Sequence, residues 1–186
     1  MTTLLRLLPL LILSSCPLPL VAAEDAAEPL TLESPNGRLR VAFRLGEGGR
    51  PAFDVAYRDI PVAAGALGLE FSGSGPLRES LEVVGTRRQS RDETYKIPVG
   101  KASSARDHHH ELIISLKETA PPHRRLDLAF RAFDDGVAFR YLIPGQEPLA
   151  DFVLTDEQTR LTFPGDPTAR ALPLSLIHIS EPTRPY

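Results

Sequence analysis

Tryptophan is absent from this chain and methionine occurs once, as the first residue, so neither can anchor a sugar ring or a partner surface. Aromatic residues amount to only 6%. Most of the phenylalanines and tyrosines fall at alternating apolar positions that a core would claim, which leaves few rings to stack on a carbohydrate. Cysteine occurs once, at Cys16. A lone thiol excludes an internal disulfide, and a chain processed beyond that point has no thiol chemistry, so its stability rests on packing alone. Positive charge is not concentrated either: the net charge is −3 and no Lys/Arg-rich run occurs, which argues against nucleic acid as a partner. No stretch between residues 24 and 173 repeats its apolar residues at helical spacing. No loop is dense enough in aspartate to offer calcium its six or more oxygens.

What is present is ordinary globular material with a β bias. Hydrophobic residues make up 42% and charged residues 24%, enough for a core and against disorder. The 18 prolines lie mostly between apolar runs, where loops joining short strands accept them and helices would not. Leu39, Val41, Phe43 and Leu45 alternate with Arg38, Arg40 and Arg44 after a Ser34-Pro35-Asn36-Gly37 turn, the pattern of a strand with one buried face. Phe53, Val55 and Tyr57 repeat it as a hairpin partner would. Leu67, Leu69 and Phe71 give a third strand, and Leu81, Val83 and Val84 a weaker fourth. The polar stretch from Arg87 to Asp107 reads as a long connection or an excursion along a sheet edge. Leu112, Ile114 and Leu116 resume the alternation. Leu126, Leu128, Phe130 and Ala132 then turn through Asp134-Asp135-Gly136 into Val137, Phe139, Tyr141 and Ile143, the clearest hairpin. Phe152 to Leu154 and Leu161 to Phe163 are shorter candidates. Eight or nine short strands with Gly/Pro turns predict an all-β protein, a β-sandwich.

The two ends read differently. Arg6 and the apolar Leu7 to Leu13, followed by Val21-Ala22-Ala23, read as a signal peptide over residues 1–23, which implies export, and the stretch is too short and Pro-broken to anchor in a bilayer. The alternative is lipid attachment at Cys16, since Leu13-Ser14-Ser15-Cys16 resembles a bacterial lipobox, although Pro17 counts against it. At the other end, Leu174 to Arg184 looks like one reading frame of a transposase adapter used in sequencing libraries. The expectation is therefore a signal peptide (1–23), a linker (24–33), a β-sandwich domain (34–173) that is incomplete at its C-terminal end, and an artefactual tail (174–186).

Few residues invite chemistry. His108-His109-His110-Glu111 suggests zinc, but neighbours in a strand point to opposite faces and cannot readily converge on a tetrahedral ion, so a solvated loop entering a strand is the preferred reading. Asp134-Asp135 reads as turn chemistry, with Gly136 taking a positive φ. Asp92-Glu93 reads as an ion-pairing site for Arg91 or Lys96. On these grounds no catalytic, substrate-binding or metal-ligating residue is assigned.

Several segments carry a likeness. Ser34-Pro35-Asn36-Gly37-Arg38-Leu39-Arg40-Val41, then Asp92-Glu93-Thr94-Tyr95-Lys96 with Val99-Gly100-Lys101 and Arg106-Asp107-His108-His109-His110-Glu111-Leu112, and then Phe130 to Tyr141 resemble the N-terminal region of family 97 glycoside hydrolases. Asp156 to Thr159 and Phe163 to Asp166 continue in the same order. His109 and His110 stand where that family more often has an aromatic residue and an asparagine, and Tyr95 where it often has tryptophan. The resemblance implies a galactose-mutarotase-like super-sandwich that precedes a (β/α)₈ barrel and a small C-terminal β domain. It also implies a bacterial periplasmic enzyme acting on α-glucosides or α-galactosides, inverting or retaining, with calcium at the site of the full-length parent. The acid and base of such hydrolysis sit on the barrel. A fragment without the barrel is expected to be inactive and to hold no cofactor, with the barrel as its partner in cis. The alternative is a free-standing carbohydrate-binding or structural β-sandwich of the cell envelope.

Overall fold

The computed structural model describes residues 28–98 and 102–168. The segments read as signal peptide and tail, Cys16, and residues 169–173 of the expected domain lie outside the described residues. The strands are β1 (Leu30–Glu33), β2 (Leu39–Gly46), β3 (Arg50–Tyr57), β4 (Ile60–Ala66), β5 (Leu69–Phe71) and β6 (Gly75–Leu77). They continue as β7 (Leu81–Lys96), β8 (Ser104–Glu118), β9 (Arg125–Phe133), β10 (Val137–Leu142), β11 (Leu154–Glu157) and β12 (Arg160–Thr162). No α-helix occurs among the described residues, and hence no helix long and apolar enough to cross a membrane.

Three antiparallel sheets result, in the orders β1-β2-β3-β4-β12, β10-β9-β8-β7 and β11-β5-β6. The first two face each other. Alternation places Val41 and Phe43 of β2, Phe53 and Val55 of β3, and Leu112, Ile114 and Leu116 of β8 in one buried cluster with Leu126, Leu128 and Phe130 of β9. Phe130 is its hub: its ring lies 5.2 Å edge-on from Phe53 and 6.1 Å from Phe43. Burying such a side chain contributes about 1.5–3 kcal/mol, and Phe43, Phe53, Phe71 and Phe130 are spent on the core, whereas Tyr57, Tyr95, Phe152 and Phe163 stay exposed. The three-stranded sheet adds Leu69, Phe71 and Leu77 to the same cluster and closes one end.

A buried ion pair ties that end down. Arg124 donates through Nε to Glu118 Oε2 at 2.8 Å and through Nη2 to Glu118 Oε1 at 2.6 Å. Its remaining N–H groups reach the carbonyls of Ser74 and Pro76, both at 2.7 Å, which fastens the β8–β9 turn to the β5–β6 hairpin. A buried guanidinium survives desolvation only when its donors are all used in this way.

The sandwich and the β9–β10 hairpin are as expected, but other details differ. Part of the 24–33 linker is strand β1, whose Leu32 is buried against the core. Strand β4 was not anticipated because Pro61, Ala63, Ala64 and Gly65 carry almost no hydrophobic signal. Gly65 is nevertheless required, since a Cβ there would stand 2.2 Å from the Phe53 ring. Gly136 does not occupy the left-handed region. Its turn is held from outside, by the Asn36 backbone N–H donating to Asp134 Oδ1 at 2.9 Å.

Candidate functional site

Of the two readings of the polar stretch from Arg87 to Asp107, the excursion along a sheet edge holds: its residues 87–96 and 104–107 form the far half of an antiparallel ribbon in which β7 and β8 pair continuously from Arg87↔Ile113 to Lys96↔Ser104, with β7 at the edge of its sheet. β9 accompanies β8 only as far as His109↔Phe133, so the ribbon projects past the sandwich with no third strand. Apolar alternation ends where there is no facing sheet to bury it, and charged cross-strand pairs take over. This is why the stretch carries no apolar alternation of its own in the sequence.

The three histidines all lie in β8 and meet three different partners. His109 is the correction to the solvated reading, being only 1% exposed. Its Nδ1 lies 2.6 Å from Asp107 Oδ1, and its ring packs at 5.0 Å on Phe133. His110, on the opposite face, places Nδ1 2.9 Å from the Glu33 carbonyl oxygen. His108 Nδ1 lies 3.7 Å from Asp134 Oδ2. No group of three or more His, Cys, Asp or Glu side chains among the described residues is arranged to hold a metal.

Glu111 is the fourth member of that run, and its neighbours were not foreseen. It faces the same side as His109 and is 1% exposed. Cross-strand register sets Gln89 on one side and Arg131 on the other. Arg131 donates through Nε to Glu111 Oε1 at 2.6 Å, and Gln89 donates to Glu111 Oε2. Burial pushes the Glu111 carboxyl up, but the Arg131 hydrogen bond and charge, with the Gln89 bond, outweigh it and hold the carboxyl below its usual range. The only advance signal was a glutamate in phase with His109 rather than with Leu112 and Ile114.

Asp92 and Glu93 are ion-paired, though Asp92 takes neither expected partner. Arg106 meets both Asp92 carboxylate oxygens, at 2.7 and 2.8 Å, and its hydrogen bond lowers the Asp92 pKa. Arg91 meets Glu93 at 2.6 Å, which raises the arginine's own pKa. A glycosidase general acid needs a carboxyl raised toward neutrality. Glu111 and Asp92 are shifted the opposite way, and each is occupied by a guanidinium. The Asp92–Arg106 pair ties β7 to β8, and the Glu111–Arg131 pair ties β8 to β9.

One groove flanks this framework and another lies on a different face. One, of about 680 Å³, runs between the edge of β1 and the ribbon and is lined by Glu33, Ser34, Arg88, Ser90 and His110. The other, of about 600 Å³, lies on the outer face of the five-stranded sheet among Ala42, Ala56, Ala64 and Phe163, beside the Arg40–Asp59 pair.

The family model described as glycosyl-hydrolase 97 N-terminal matches residues 32–183, which runs past Pro173 into the segment read as tail. A retaining alpha-galactosidase of Bacteroides thetaiotaomicron is 28% identical over 146 residues, covering 78% of this chain and 20% of that protein. A family 97 glycoside hydrolase of Pseudoalteromonas sp. strain K8, solved with acarbose, superposes with a TM-score of 0.66 at 27% identity over 70% of this chain and 20% of the other. A beta-arabinopyranosidase superposes with a TM-score of 0.65 at 25% identity over 73% of this chain and 21% of the other. The chain thus spans about one fifth of the length of these relatives. With that match and this sandwich together, the chain belongs to the glycosyl-hydrolase 97 N-terminal family.

Proposed function

We propose that this chain is the non-catalytic, carbohydrate-binding-type domain of a bacterial periplasmic α-glycosidase, acting on α-glucosides or α-galactosides. It buttresses the (β/α)₈ barrel and shapes one wall of the sugar pocket, with calcium bound in the full-length parent. The observation that carries this reading is coverage: the match fills 78% of this chain but only 20% of a retaining alpha-galactosidase. The projecting ribbon supports it, because rigid paired charges beyond the sandwich suit contact with a neighbouring domain in cis. Export follows the reading of residues 1–23 as a signal peptide, with lipid attachment at Cys16 as the alternative route to the envelope.

The experiment assays the purified chain on aryl α-glucosides and α-galactosides, alone and as a fusion to the barrel of a family 97 relative. The chain alone releases no sugar, and the fusion is active and more heat-stable than the barrel by itself. Turnover by the chain alone that survives repurification, or a barrel indifferent to the fusion, overturns the proposal.

A further inference from the structure

A cleft of about 550 Å³ opens where the end of the five-stranded sheet meets the three-stranded sheet. Arg50 at the start of β3, Arg78 just after β6 and Arg160 at the start of β12 line it, against a single acid, Asp156. Since Glu79 pairs with Arg50, the charged lining side chains left are Arg78 and Arg160 against Asp156, in a chain whose net charge is −3. Pro51, Ala66 and Leu67 form an apolar part of the wall, beside which charge is less screened than in open water.

Arg78 is held in place there. Its Nη1 donates to Gln158 Oε1 at 2.7 Å. The Gln158 Nε2 donates in turn to Glu70 Oε2 at 2.6 Å, and this fixes which end of the amide meets the arginine. The Gln158 backbone N–H is anchored on the Gly68 carbonyl at 2.9 Å. A Cβ on Gly68 would stand 2.7 Å from Arg78 Cβ, so the glycine is what lets the arginine stem lie close to the chain. The group that orients Arg78 is therefore a neutral amide, and Arg78 makes no ion pair among the described residues. Arg50 is paired with Glu79 at 2.9 Å, whereas Arg160, exposed at the start of β12, makes no ion pair among the described residues.

We propose that this cleft binds an oxyanion group, a carboxylate, sulfate or phosphate, with Arg78 as the principal donor and Arg160 as the second. A guanidinium presents two parallel N–H groups that match two oxygens of such an anion. The anion is either a free inorganic ion or the acidic substituent of a sugar, and both present the same oxygens. The site does not depend on the parent's reaction, so its test stands apart from the assay above.

The test titrates the full chain with sodium sulfate and, separately, with sodium glucuronate at constant ionic strength, following arginine Nε–H signals by NMR. A saturating shift of the Arg78 signal is expected. Saturation by both ligands assigns the site to acidic sugars, and saturation by sulfate alone assigns it to free anions. Arg78→Gln abolishes the saturating shift, and Arg160→Gln weakens binding about tenfold. Arg38→Gln, in a distant turn, leaves binding unchanged. Both cleft side chains are exposed, so the variants are expected to fold, and circular dichroism checks that they do. Shifts that grow linearly with salt, or equal saturation in the Arg78→Gln protein, overturn the proposal.

Discussion

Glu111 and His109 point away from the hydrophobic cluster yet are as buried as its members. Their cover comes from side chains on the flanking strands, with Gln89 and Arg131 over Glu111 and Phe133 against His109. An ionised carboxylate in such a place is tolerable only while it is paired and hydrogen-bonded. Its folded pKa lies below the ordinary value, so it contributes stability above the ordinary carboxylate range and loses it as pH falls through the folded value. Urea midpoints measured from about pH 7 down to pH 3 should therefore fall more steeply for the native chain than for Glu111→Gln, with the excess loss below about pH 5. Parallel curves would show that the Arg131 pair stabilises nothing.

At the scale of the element, how readable a strand is in the sequence follows what its residues bury. β2, β3, β8 and β9 are legible because every second residue meets the facing sheet. β7 was legible only at its first turn of apolar residues, since nothing covers the rest of it. β4 was invisible for the opposite reason: it packs by being small. Replacing Gly65 by alanine puts a methyl group into the Phe53 ring and should cost about 1–3 kcal/mol in urea unfolding. Gly136→Ala, with nothing within 4 Å of the added carbon, should stay within about 0.5 kcal/mol. Equal losses at the two positions would mean that β4 does not lie against Phe53.

For the whole molecule, the sandwich has its own core, aromatic hub and buried Arg124–Glu118 clamp, although the chain spans only a fifth of its relatives. If Leu174 to Tyr186 is adapter-encoded, deleting it should leave the melting temperature unchanged in a calorimetric scan. A drop of more than about 3 °C would assign those residues to the fold. The alternation of apolar residues was enough to predict an all-β sandwich, the β9–β10 hairpin and most of the core, because a period of two allows only one face to be buried. The resemblance pointed to the family on the order of its segments. Which strands lie side by side was decided by tertiary structure alone. Register across β7, β8 and β9 gathers Gln89, Glu111 and Arg131, and the meeting of two sheets brings together Arg50, Arg78 and Arg160. Partners so far apart in the chain leave no local pattern, because the contact between them exists only once the sheets have paired.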